Sequence, residues 1–105
     1  MALKGLSKSI SKTSEAGPSW TFLTNHAHVL ICLAREPDCV LRRVASLVGI
    51  TERAVQRIVS DLEEAGYIER RKDGRRNVYQ LLLSKSLRHE VEANCKISEL
   101  IDIIK

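Results

Sequence analysis

Arg53, Gln56, Arg57 and Ser60 follow one another at steps of three, one and three residues. On an α-helix that spacing gathers all four on one face. A guanidinium is a rigid fork of donors, an amide carries donor and acceptor side by side, and a hydroxyl does both. Such groups suit the edges of base pairs, Arg bridging two acceptors of guanine and Gln pairing with adenine, in a groove that admits a helix. Glu52 adds an acceptor beside them, and Thr51 offers a capping hydroxyl at a helix N-terminus, where phosphate is welcome. A second cluster, Arg71, Lys72, Arg75 and Arg76, brackets Asp73-Gly74. Cations at that density suit a phosphate backbone, with one arginine free to enter a minor groove. Arg42 and Arg43 form a third, smaller pair of phosphate candidates. The bland alternative for each set is a solvated charged surface, so the elements that carry them decide.

Other chemistry has less support. His26 and His28 are two apart and fall on different faces of a helix, which disfavours a shared metal. His89, with Glu90 and Glu92, reads better as solvated surface. Cys32, Cys39 and Cys95 are odd in number and irregular in spacing, so neither a disulfide framework nor a zinc ribbon is expected. Cys32 sits among apolar residues, where thiols are usually inert. No Ser/His/Asp order, glycine-rich phosphate loop or paired carboxylates point to catalysis. The expectation is a protein that is not an enzyme and needs no cofactor or metal.

The elements that must position these groups are legible from periodicity. Ser19 can cap a helix from about Trp20 to Arg35, with Leu23, Ala27, Leu30, Ile31 and Ala34 on one face and Val29 and Leu33 widening it. Glu36-Pro37-Asp38 ends it, because a residue before proline avoids the helical region. A second helix is expected from Leu41 to Val48, buried along Leu41, Val44, Ala45 and Val48, with Gly49 as its stop and Ile50 as a buried plug. Thr51 then caps a third, about Glu52 to Ala65, whose inward positions are Val55, Ile58, Val59, Leu62 and Ala65. Small Ala45 where two helices touch, Gly49 four residues on, and apolar Val44, Val48, Ile50, Val55 and Ile58 together predict a helix-turn-helix. Past Gly66 the period changes. Two strands are expected over 67–71 and 77–82, joined by a turn at Asp73-Gly74. Ser84 or Ser86 would cap a last helix running to the end.

Composition agrees with one domain. The chain has 105 residues, 44% hydrophobic and 29% charged, with only 4% aromatic, so aliphatic side chains fill the core. The net charge of +4 is uneven, with its cations concentrated around the 69–76 turn and in the segment 1–18. Residues 1–18, rich in Ser and Lys and ending in Gly17-Pro18, read as a flexible basic arm, with the domain proper over 19–83 and a C-terminal helix over 84–105. No apolar run reaches the roughly 20 residues that span a bilayer, and the first residues lack the apolar stretch of a secretory signal, so a cytoplasmic protein is expected.

The stretch from Ser19 to Ser84, and most specifically RAVQRIVSDLEEAGYIERRKDGRRNVYQL, resembles the winged helix-turn-helix transcription regulators of MarR and ArsR type. Leu62, Glu63, Gly66, Ile68 and Arg70 stand where that group closes its recognition helix and starts its wing. It departs from the group in having shorter flanking helices and no recognition-helix cysteine cluster. The resemblance implies a mainly helical fold, three helices with a β-hairpin wing plus a C-terminal helix, acting as a sequence-specific binder of double-stranded DNA. The alternative is a winged-helix module that grips a protein. The last helix, apolar at Leu87, Val91, Ile97, Leu100, Ile101, Ile103 and Ile104, either packs on the first helix of its own chain or pairs with a second copy; a homodimer suits a palindromic site. A small-molecule effector is not indicated either way.

Overall fold

A computed structural model describes residues 19–104; the segment 1–18, expected as a basic arm, lies outside the described residues. Along the chain run α1 (Asn25–Arg35), α2 (Leu41–Val48), α3 (Glu52–Glu64), β1 (Ile68–Asp73), β2 (Arg76–Leu81) and α4 (Ile97–Ile104). This is a winged helix with an added C-terminal helix, as expected.

α1 starts later than the Ser19 cap implies. Thr24 is the cap, its Oγ1 accepting the Ala27 N–H at 3.3 Å. Ahead of it Trp20 and Phe22 meet edge to face with ring centres 5.0 Å apart, on a turn where the Thr21 hydroxyl donates to the Leu23 carbonyl. Residues 20–23 thus lead into the helix without joining it. The helix ends as expected, the Glu36 N–H returning to the Cys32 carbonyl just before Pro37.

α2 has the expected bounds. Val44 and Ala45 are buried, while Leu41 and Val48 are half-buried. Gly49 stops the helix at φ 87°, ψ 34°, with its N–H on the Ala45 carbonyl at 2.8 Å. Ile50 packs against the core but is only partly buried. Thr51 Oγ1 accepts the Ala54 N–H at 3.0 Å and opens α3, whose Val55, Ile58, Val59 and Leu62 face inward. α3 closes one residue early, at Glu64. The Tyr67 N–H bonds the Leu62 carbonyl and the Gly66 N–H the Glu63 carbonyl, with Gly66 at φ 81°. That is a Schellman closure, and its apolar partners Leu62 and Tyr67 both join the core.

The wing is longer and tighter than the sequence suggests. β1 and β2 pair antiparallel from Ile68↔Leu81 to Asp73↔Arg76, leaving only Gly74 and Arg75 as the loop. Gly74 has φ 68°, and no described non-glycine residue has positive φ, so one glycine at the first loop position makes the whole reversal. The hairpin is tied to the helices by the Tyr79 N–H donating to the Pro37 carbonyl at 2.9 Å, and by buried Ile68 and Tyr79.

The single helix expected from Ser84 onward does not form. Residues 84–96 fold back as a loop, with Ser86 and Lys96 bridged, the Leu87 N–H on the Cys95 carbonyl, and the Tyr67 hydroxyl donating to the Ser86 carbonyl at 2.6 Å. The reason lies in the interval. Between Val91 and Ile97 no large aliphatic side chain continues the apolar stripe, and Val91 itself is 78% exposed. Only α4 is helical, and Glu99 Oε1 accepts the Lys96 N–H at 2.8 Å to start it, one arm of a capping box. No helix among the described residues is long and apolar enough to cross a membrane.

Candidate nucleic-acid interface

Burying Val55, Ile58, Val59 and Leu62 leaves the opposite side of α3 to solvent. Glu52, Arg53, Gln56, Arg57 and Ser60 are all exposed there, so the expected face exists as a continuous surface. Arg53 and Arg57 form no ion pair among the described residues. Their forks are therefore uncommitted. Thr51 is exposed at the N-terminus of this helix, but its hydroxyl oxygen already serves the cap.

The wing carries its cations on both faces. Residues alternate along a strand, so Arg70, Lys72, Asn77 and Tyr79 share the side of the buried Tyr79 ring, while Arg71, Arg76, Val78 and Gln80 share the other. Arg71 donates to Gln80 Oε1 at 3.4 Å. Arg75 and Lys72 are exposed and make no ion pair among the described residues. Arg76 does make one, its Nη1 lying 3.2 Å from Asp38 Oδ2. Between the wing tip and the start of α3 lies a groove of about 290 Å³, lined in part by Asp38, Glu52, Arg75, Arg76 and Asn77. Within it Asn77 Oδ1 is buried without a hydrogen-bond partner among the described residues.

At the start of α2, Arg42 is exposed and unpaired among the described residues, whereas Arg43 Nε sits 3.2 Å from Glu36 Oε1. The Glu36 carboxylate, by that hydrogen bond and its charge, holds the Arg43 guanidinium above its ordinary pKa. The roles of Glu36 and Asp38 have no sequence signature. They lie seven residues before Arg43 and 38 before Arg76, and only the folded chain brings them together.

The residues expected at a subunit interface are divided by the structure. Ile97 is 2% exposed and belongs to the core, and Leu87 and Ile101 pack against that core. α4 docks beside α1, with Arg35 donating to the Ile104 carbonyl at 3.4 Å. Leu100 and Ile104 are half-buried, while Val91 and Ile103 are exposed. Ile97 thus serves its own chain.

The histidines and cysteines find other partners. His26 Nε2 lies 2.9 Å from Asp61 Oδ2, joining the start of α1 to the outer side of α3, and His28 Nδ1 lies 3.3 Å from Asn25 Oδ1. The His26–Asp61 pair borders an apolar cavity of about 370 Å³ lined by Phe22, Leu30, Leu62, Leu87 and Leu100 among others, which the sequence did not announce. Burial raises the Cys32 and Cys39 thiols above their ordinary pKa, so neither is a ready thiolate. Among the described residues no three His, Cys, Asp or Glu side chains are grouped to hold a metal.

A family model described as the MarR family matches residues 21–76, just over half of the chain, from the turn before α1 to the far side of the wing tip. An ArsR-type assignment gains no support from that match. No curated protein matches the chain.

Proposed function

The chain belongs to the MarR family, and from that premise we propose a regulator of transcription that reads a specific duplex site with α3 in the major groove and the wing on the flanking backbone. MarR-family proteins are regulators that bind DNA, typically as dimers. The observation that carries the reading is the outer face of α3. Arg53, Gln56, Arg57 and Ser60 stand exposed together, and both arginines lack an intramolecular carboxylate among the described residues.

The roles follow from chemistry. Arg53 and Arg57 bridge the two acceptors of guanine, Gln56 pairs with adenine, and Glu52 accepts from cytosine. Ser60, one turn further along, completes the face. Thr51 brings the α3 N-terminus to a phosphate through its backbone. Arg71, Lys72, Arg75 and Arg76 hold the backbone beside the site or enter its minor groove, and Arg42 and Arg43 approach a phosphate from α2. Two copies paired through the exposed Val91 and Ile103 of the C-terminal region, with the half-buried Leu100 and Ile104 beside them, would set two α3 helices about 34 Å apart for a palindromic site.

The test is selection of bound duplexes from a random pool, followed by a salt titration with the winning sequence. A defined motif should emerge, with log K falling against log salt by about 0.9 per phosphate neutralised. A chain that binds duplexes without preference, or whose binding to a partner protein ignores salt, would refute this assignment.

A further inference from the structure

The loop between α1 and α2 places two carboxylates against two of the cations assigned to phosphate. Glu36 holds Arg43 and Asp38 holds Arg76, each at 3.2 Å, although the arginines come from α2 and the wing. The loop cannot drift from them. Its Glu36 N–H is bonded to the Cys32 carbonyl, its Cys39 N–H to the Glu36 carbonyl, and the Pro37 carbonyl between the two acids receives the Tyr79 N–H. On the reading that this face binds duplex DNA, we propose that Glu36 and Asp38 are intramolecular competitors for the phosphates, which weaken the backbone grip without touching the base-reading face.

Exposure decides that this competition is real. The side chains of both pairs are roughly half exposed, 58% and 48% for Arg43 and Glu36, 63% and 45% for Arg76 and Asp38. Pairs that wet are weak and exchange readily, so a phosphate can displace the carboxylate. Displacement is incomplete in effect, because the freed carboxylate stays in the fixed loop and repels the arriving anion. Asp38 also lines the groove between the wing tip and α3, as Glu52 does. Arg53 and Arg57 escape this restraint, lacking any carboxylate partner among the described residues. The two acids therefore act on the sequence-independent part of binding.

The experiment compares the full chain with the E36Q/D38N double variant by fluorescence anisotropy, on the duplex won by selection and on a scrambled duplex of equal length. Both substitutions keep shape and remove only charge, and thermal melting confirms the fold. The variant should bind both duplexes more tightly, by roughly two- to twenty-fold for two exposed pairs released. Its plot of log K against log salt should steepen by up to about 0.9 for each arginine freed. E90Q, which removes an exposed carboxylate from the 84–96 loop, should change either value far less. In a background of R43A/R76A the gain from E36Q/D38N should shrink to what relief of repulsion alone supplies, and the salt slope should no longer steepen. Equal or weaker binding by a folded E36Q/D38N variant would overturn the proposal, since it would mean that the carboxylates orient the arginines for DNA. A gain matched by E90Q would overturn it as well, leaving only net charge. A wild-type chain that binds no duplex at low salt would instead refute the DNA reading itself, and this inference with it.

Discussion

Gly49→Ala tests whether the turn before the recognition helix rests on backbone freedom alone. Gly49 sits at φ 87°, ψ 34°, in the left-handed region. A Cβ built there meets no atom within 4 Å, so alanine has nothing to push aside. The cost is then the residue's own, about 1–2 kcal/mol for a left-handed L-residue. Against it stands a gain of about 0.4–1 kcal/mol, because alanine lowers the entropy of the unfolded chain. The net loss should be roughly 1 kcal/mol, which lowers the melting temperature by about 4–8 °C in a domain of this size. Urea unfolding followed by far-ultraviolet circular dichroism measures it, and the slope against urea should not change. Gly49→Asn should lose less, since its short polar side chain tolerates that conformation. The motif won by duplex selection should stay the same below the melting temperature, because α3 is not displaced. A loss above ~3 kcal/mol, beyond what a strained backbone alone costs, would refute the reasoning. So would equal losses for Asn and Ala.

Two further outcomes follow from the interface. Arg57→Ala should weaken binding to the selected duplex by about 1–3 kcal/mol and relax preference at one base position; an unchanged motif on reselection would remove Arg57 from base reading. Ile103→Asp, at a side chain 79% exposed, should leave the melt intact but convert a dimer to a monomer in sedimentation and weaken binding to a palindrome. A wild-type chain that sediments as a monomer at micromolar concentration and still binds tightly would refute that arrangement.

What could be read in advance was what the chain settles locally. The bounds of α2, Leu41 to Val48, are legible because Pro37, Gly49 and Thr51 punctuate the chain within a few residues of them. The outer face of α3 followed from its inner one, since burying four aliphatic positions leaves Arg53, Gln56 and Arg57 no other side. The start of α1 is not legible because Ser19 and Thr24 are both competent caps and spacing does not choose between them; the folded chain uses Thr24. The extent of the last helix is not legible either. Its spacing from Leu87 to Val91 is helical, but the bond from Tyr67 to the Ser86 carbonyl comes from nineteen residues away. The division of arginines into restrained and free was illegible altogether, because Glu36 and Asp38 reach their partners only through tertiary structure.

The wing has a bearing on self-association. A two-stranded sheet has two open edges, and each is a template on which a foreign strand can add. Along β2 the Tyr79 N–H is already taken by Pro37, a residue with no N–H of its own to carry the ladder onward. Along β1 the sequence is Ile-Glu-Arg-Arg-Lys-Asp, with every residue after Ile68 exposed and charged. An incoming copy of that strand would meet like charges at every rung after Ile68 if parallel, and would set Arg70 against Arg71 if antiparallel. Proline thus guards one side and charge the other, so the side chains assigned to phosphate also keep a protein with an exposed hairpin from polymerising through it.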